Sequence, residues 1–280
     1  VNFEIPSKQK IYSLSVLLSA YLLVSHGSSD RRSQTGLIQL GEQVRAYLWH
    51  STAVNPKSTS ALPLVGTATL ELALIPLHEQ ICQFSQQALT SGCQRLAVLP
   101  LFLLPGVHAL EDVPREVAIA KNDPRIHSTD LQIDLLPYLG SCPHLVNLLA
   151  AQQATAAADG WILLSHGSRR LGANEVVEAI ALQLGALPAY WSVLPSLESQ
   201  VRELVRLGCR KIGILPYFLF SGGITDAIAQ SIINWQGKFA GVEFILSEPI
   251  AANLELAKML GQEFLGDVPP DFGDFPPERL

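Results

Sequence analysis

Cysteine is scarce in this chain and badly spaced for metal or redox work. Only Cys82, Cys93, Cys142 and Cys209 are present, and no two of them form a C-x-x-C pair. Zinc ribbons, iron–sulfur centres and thioredoxin-type dithiols therefore have no support. Cys93 and Cys209 each precede an apolar run, as buried structural thiols do. Positive charge is short as well: 19 Lys and Arg against 25 Asp and Glu leave a formal charge of −6. A nucleic-acid partner calls for a clustered basic surface, so none is expected. Long apolar runs are also missing. A membrane-spanning helix takes about 20 apolar residues, and the best candidate, residues 11–24, is broken by three serines and two tyrosines. No membrane partner is expected. With Lys8 and Lys10 before it, that segment has the outline of a signal peptide. It runs straight into Ser25-His26-Gly27, however, and cleavage there would remove a strand that recurs later. The expectation is a cytoplasmic protein whose first core strand follows an N-terminal lead-in.

What the chain does have is a repeat. Tyr21-Leu-Leu-Val-Ser-His-Gly-Ser28 returns as Trp161-Ile-Leu-Leu-Ser-His-Gly-Ser168, and the block from Gly92 to Leu104 returns from Gly208 to Phe220. Two blocks in the same order, so far apart, indicate two fused domains rather than a solenoid. A length of 280 residues gives the same count. The boundary is placed near residue 157, with an N-terminal domain over 1–157, a repeat over 158–265 and an extended, proline-rich acidic tail over 266–280.

Each copy alternates short apolar runs with stretches of helical period, the pattern of an α/β layer fold with a parallel sheet. Two similar three-layer domains are expected, each a small parallel sheet flanked by helices. In the first copy, Leu22–Ser25 reads as a strand and Ser29–Trp49 as a helix, with a Ser/Pro-rich loop over His50–Pro63. A helix opens at Pro76 and stops at Gly92, Leu96–Leu104 forms a buried strand, Pro114 opens another helix, and Leu131–Leu136 adds a strand. The second copy follows suit, with a helix from Pro195, a strand over Ile212–Phe220, a helix capped by Thr225 or Asp226, and Val242–Leu246 last.

The copies differ where chemistry would sit. The first carries His26, Glu71 and His108, and the matching places in the second read as His166, Tyr190 and Ile224. His26 and His108 each follow an apolar strand, and ligands of open parallel sheets bind at the carboxyl ends of strands. Two neutral imidazoles suit a borderline divalent metal. Glu71 lies in a mostly apolar stretch, where a carboxylate would take up protons near neutrality; a helix-start carboxylate favoured by the dipole is the equal alternative. Ser28 or Ser29 would cap the next helix, whose N-terminus favours anions. His78 reads as part of a solvated helix face, and His50, His127 and His144 have no partner at metal-ligand spacing. A histidine phosphatase would need an arginine where Ser25 stands.

Taken together, Ser25-His26-Gly27-Ser28, Leu70-Glu71-Leu72 through Pro76, and Pro100 through His108 with Glu111-Asp112-Val113-Pro114 resemble the sirohydrochlorin chelatases, in their long tandem form. The resemblance covers most of residues 20–255. It implies insertion of a divalent metal into the tetrapyrrole sirohydrochlorin, with His26 and His108 holding the ion and Glu71 accepting pyrrole protons. It further implies Co²⁺, toward cobalamin, as first choice and Fe²⁺, toward siroheme, as the alternative. The metal would be a substrate, with no permanently bound cofactor, and the chain a monomer that is an internal pseudo-dimer. Ser28, Ser29, Arg31 and Arg32 are the candidates for binding substrate carboxylates. A carrier of metal or tetrapyrrole without turnover is the non-enzymatic alternative, and Glu71 distinguishes the two.

Overall fold

The computed structural model describes residues 19–52, 63–235, 237–252 and 254–266. The expected lead-in before residue 19, most of the Ser/Pro-rich loop and the tail from residue 267 lie outside the described residues.

The first half runs β1 (Ser19–Ser25), α1 (Arg31–Thr52), β2 (Leu64–Thr69), α2 (Leu77–Thr90) and β3 (Arg95–Pro100). A π-helical turn over His108–Asp112 leads into α3 (Val113–Asn122), followed by α4 (Pro124–His127), β4 (Gln132–Leu135), a 3₁₀ turn at Leu139–Ser141 and α5 (His144–Ala154). The second half runs β5 (Gly160–Ser165), α6 (Glu175–Gln183), β6 (Ala186–Tyr190), α7 (Leu197–Arg206), β7 (Lys211–Pro216), α8 (Gly223–Trp235), β8 (Glu243–Leu246) and α9 (Leu254–Leu265). Each half builds a four-stranded sheet, in the order β2-β1-β3-β4 and β6-β5-β7-β8, and every pairing is parallel. The expected α/β class, two parallel sheets flanked by helices, is what forms.

The central strands explain the layering. All seven residues of β1 are buried, and their side chains alternate between faces as the pleat demands. Ala20, Leu22 and Val24 enter a core with α2 and α3, where Ile81 and Val117 sit. Tyr21 and Leu23 enter the other core, which also holds Trp161 and Leu163 of β5 and residues of α1, α5, α6 and α9. Ile162 and Leu164 of β5 face a third core under α7 and α8. The two sheets thus share one hydrophobic layer, which runs unbroken from the first half to the second.

Several elements depart from the sequence reading. Strands β2 and β6 lie where no strand was expected. Both are edge strands: β2 buries only Ala68 of its six residues, and β6 contains Pro188, which an edge tolerates. β2 therefore lacks the apolar run of a central strand, and Pro188 interrupts that of β6. Strand β3 ends at Pro100, four residues before its apolar run does, after which Leu101 adds one last bond to the carbonyl of Val24. Helix α9, also unexpected, returns to the first half. Phe264 stacks on Tyr21 with centroids 4.2 Å apart, and Gly261 lies so close to the Tyr47 ring that a Cβ would overlap it.

Candidate active site

Parallel pairing carries two of the three candidate residues to one edge. Ser25 is in register with Thr69, and the ladder continues past both strands: Leu70 N–H donates to Ser25 O and Glu71 N–H to His26 O, each at 2.9 Å. Gly27 makes this possible. Its φ is 100°, and a Cβ there would overlap the carbonyl of Glu71, so only glycine lets the two loops approach. Leu72 then turns the chain with φ 59°, a strained value for a branched side chain.

The third residue arrives from β3. His108 opens the π-helical turn that leads into α3, and its ring meets that of His26 edge-on, with centroids 4.6 Å apart and an interplanar angle of 84°. His26 Nε2 is 4.0 Å from Glu71 Oε2. Ligand atoms of His26, Glu71 and His108 all lie within 4.8 Å of one another. Behind them, Asp112 Oδ2 accepts from His108 Nδ1 at 2.8 Å, and Arg115 pairs with Asp112 at 2.9 Å. The bond to His108, helped by Arg115, holds the Asp112 carboxyl below its usual range. A carboxylate on Nδ1 fixes the proton there and leaves the Nε2 lone pair free to ligate a metal ion. Phe102 lies 6.3 Å from the His26 ring and 6.4 Å from the His108 ring, giving the pair an apolar neighbour.

The cluster is open. His26, Glu71 and His108 side chains are 47%, 50% and 40% exposed. Glu71 therefore does not have the apolar surroundings expected from its sequence neighbours, because the loop after β2 turns away from the core. Beside His26 is a cavity of about 180 Å³, walled by Ser25, His26 and Leu101 of the first half and Phe218 and Phe220 of the second. Exposed Leu72, Leu74, Val107 and Leu110 lie on the loops and turn that carry Glu71 and His108.

The proposed carboxylate binders are mostly committed elsewhere. Ser28 Oγ accepts from Asp30 N–H at 3.0 Å. Asp30, rather than either serine, caps α1, accepting from Arg32 N–H at 2.9 Å, so the helix N-terminus already carries an anion. Arg32 is gripped by Asp30 at 2.7 Å and by Asp226 of the second half at 2.6 Å. Ser29 and Arg31 are exposed at the same turn.

The second copy is aligned differently from the sequence reading. Ser165 is in register with Tyr190, and Ser192 N–H donates to His166 O as Glu71 does to His26. The counterpart of Glu71 is therefore Ser192. Tyr190 matches Thr69 and is buried at 2% exposure; burial, then the nearby Glu178, pushes its phenol up to about 12. The two-residue offset comes from the pairing of edge strand β6, which no local pattern reveals. His78 is not on a solvated face either: it bonds Glu116 at 2.8 Å and ties α2 to α3. His144, expected to have no partner at metal-ligand spacing, meets Cys142 and Glu263; the Glu263 contact needed α9 and so lay beyond any local pattern. His50 and His127 sit at the ends of α1 and α4.

Two parallel sheets over a shared core, with an open cluster of two imidazoles and a carboxylate at one sheet edge, define a two-lobed α/β protein equipped with transition-metal donors. The CbiX family model matches residues 20–156 and 160–265. The chain belongs to the CbiX family. It is 23% identical over 261 residues to the sirohydrochlorin ferrochelatase of Priestia megaterium, covering 83% of this chain and 90% of that one. It is 26% identical over 249 residues to the sirohydrochlorin cobaltochelatase of the same organism, covering 82% and 74%. Among solved structures, SirB from Bacillus subtilis with Fe³⁺ superposes with a TM-score of 0.66 at 19% identity, covering 91% of this chain and 98% of that one.

Proposed function

We propose that this protein is a sirohydrochlorin chelatase, which inserts Co²⁺ or Fe²⁺ into the tetrapyrrole at the first-half cluster. The observation that carries the reading is the convergence of His26, Glu71 and His108 donor atoms within 4.8 Å at an open strand edge. Both Priestia relatives act on sirohydrochlorin by name, one with iron and one with cobalt. An imidazole–carboxylate set accepts either ion, so the donors of this site are compatible with both metals.

Metal entry into a tetrapyrrole forms metal–nitrogen bonds as two pyrrole N–H protons leave. His26 and His108 hold the ion by Nε2, and the absence of a thiolate keeps the grip weak enough for the ion to depart with product. Glu71, next to His26, takes up the departing protons; its exposure lets them pass on to water. Phe102 and the exposed leucines on the Glu71 and His108 loops offer apolar surface to a macrocycle, while the second-half wall at Phe218 and Phe220 closes the cavity from the other side. Of the carboxylate-binding candidates, Arg31 and Ser29 fit best, since Arg32 and Ser28 already have partners. The chain works as a monomer because it contains both lobes, and it needs no permanently bound cofactor.

Anaerobic absorbance during incubation with sirohydrochlorin and Co²⁺ or Fe²⁺ tests this. Enzyme-dependent conversion is expected, abolished in His26→Ala, preserved in His166→Ala and slowed about 10²–10⁴-fold in Glu71→Gln. Conversion no faster than the protein-free control with either metal would overturn the proposal.

A further inference from the structure

A second set of donors meets where α5 begins and α9 ends. Cys142 follows the 3₁₀ turn at Leu139–Ser141, His144 is the first residue of α5, and Glu263 lies near the end of α9. His144 and Glu263 are 119 positions apart in sequence, yet His144 Nδ1 is 3.0 Å from Glu263 Oε1. Cys142 Sγ is 3.4 Å from the same oxygen and 3.9 Å from His144 Nδ1. Metal bonds of about 2.3 Å to sulfur and about 2.0–2.2 Å to nitrogen and oxygen would separate tetrahedral donors by about 3.3–3.6 Å. The three observed separations straddle that range, so an ion enters with shifts of a few tenths of an ångström.

The surroundings suit an ion held tightly with one position left open. Cys142 is buried, and the Glu263 side chain is 12% exposed. His144 and Glu263 also line a cavity of about 260 Å³, which gives solvent access to a fourth position. The lysine in that wall, Lys258, is turned onto Glu255. An ion pair between α5 and α9 would need only His144 and Glu263; the buried sulfur aimed at the same oxygen is the additional donor.

We propose that Cys142, His144 and Glu263 bind a divalent ion of the zinc or cobalt type, at a site distinct from His26 and His108. A thiolate–imidazole–carboxylate set grips such ions more firmly than imidazoles alone. The ion would fasten α9, the last described helix of the second half, to the first half, acting as a structural clamp rather than a substrate.

The test is an oxygen-free Co²⁺ titration of the full chain, followed by absorbance and thermal unfolding. The His26→Ala/His108→Ala variant is expected to bind one equivalent, to develop a thiolate-to-cobalt charge-transfer band and to unfold at a higher temperature with metal than without. Adding Cys142→Ser should abolish the band, and adding Glu263→Gln should weaken apparent affinity tenfold or more. If Cys142→Ser fails to fold, the affinity of the Glu263→Gln variant decides. Absence of the band at saturating Co²⁺, its persistence in Cys142→Ser, or unchanged affinity in Glu263→Gln would overturn the assignment.

Discussion

Asp112 Oδ2 lies 2.8 Å from His108 Nδ1, one turn further along the same helical segment. This contact aims an otherwise exposed imidazole. Removing it leaves His108 free to rotate and to take the other tautomer. Asp112→Asn is therefore expected to lower metal affinity at the first site by about 10–100-fold, with little change in folding. Isothermal titration with Co²⁺ in a Cys142→Ser background checks this, and unchanged affinity would show that His108 is oriented by its backbone alone.

Gly27 is the hinge of the same site. Any side chain there meets the Glu71 carbonyl in a backbone region that L-residues avoid. Gly27→Ala should lose at least about 1–3 kcal/mol of stability and should displace Glu71 from His26. Denaturant unfolding and chelatase turnover ought to fall together.

The two halves are bridged at the surface by Arg32, Asp30 and Asp226. Arg32 holds both carboxyls below their usual range. A group whose folded value is depressed stabilises the fold above its ordinary value and loses that contribution as pH falls through the depressed one. The melting temperature of Asp226→Asn should thus sit below that of the parent above about pH 5 and converge on it in stronger acid. A gap that is constant across the acid range would mean that the bridge contributes nothing through charge.

The second half lacks donors rather than architecture. Because Ser192 holds the place of Glu71 and Ile224 that of His108, Ser192→Glu with Ile224→His should rebuild the set around His166. One additional equivalent of Co²⁺, with no increase in the thiolate band over the parent, is the expected titration result. No gain would show that the second edge differs in shape as well as in residues.

Much of this was legible in the chain. The buried central strands announced themselves as apolar runs, the two copies by their repeated blocks, and His26 by its place directly after a strand, whereas His108 stands beyond a loop that follows β3. Edge strands β2 and β6 carry no such signature, because β2 is mostly half-exposed and Pro188 interrupts β6, and without their pairing the counterpart of Glu71 reads two positions early.

Local sequence determined the alternation of strands and helices, the parallel class and the place of His26 at a strand end, since each depends on periodicity over a few residues. Tertiary structure alone decided which carboxylates reach the imidazoles. Glu71 comes to His26 through pairing of strands about forty residues apart, Arg32 is withdrawn from any substrate by Asp226 of the other half, and Cys142 and His144 meet Glu263 because α9 folds back across α1. Such contacts arise from packing between distant segments, and no short stretch of chain carries their signature.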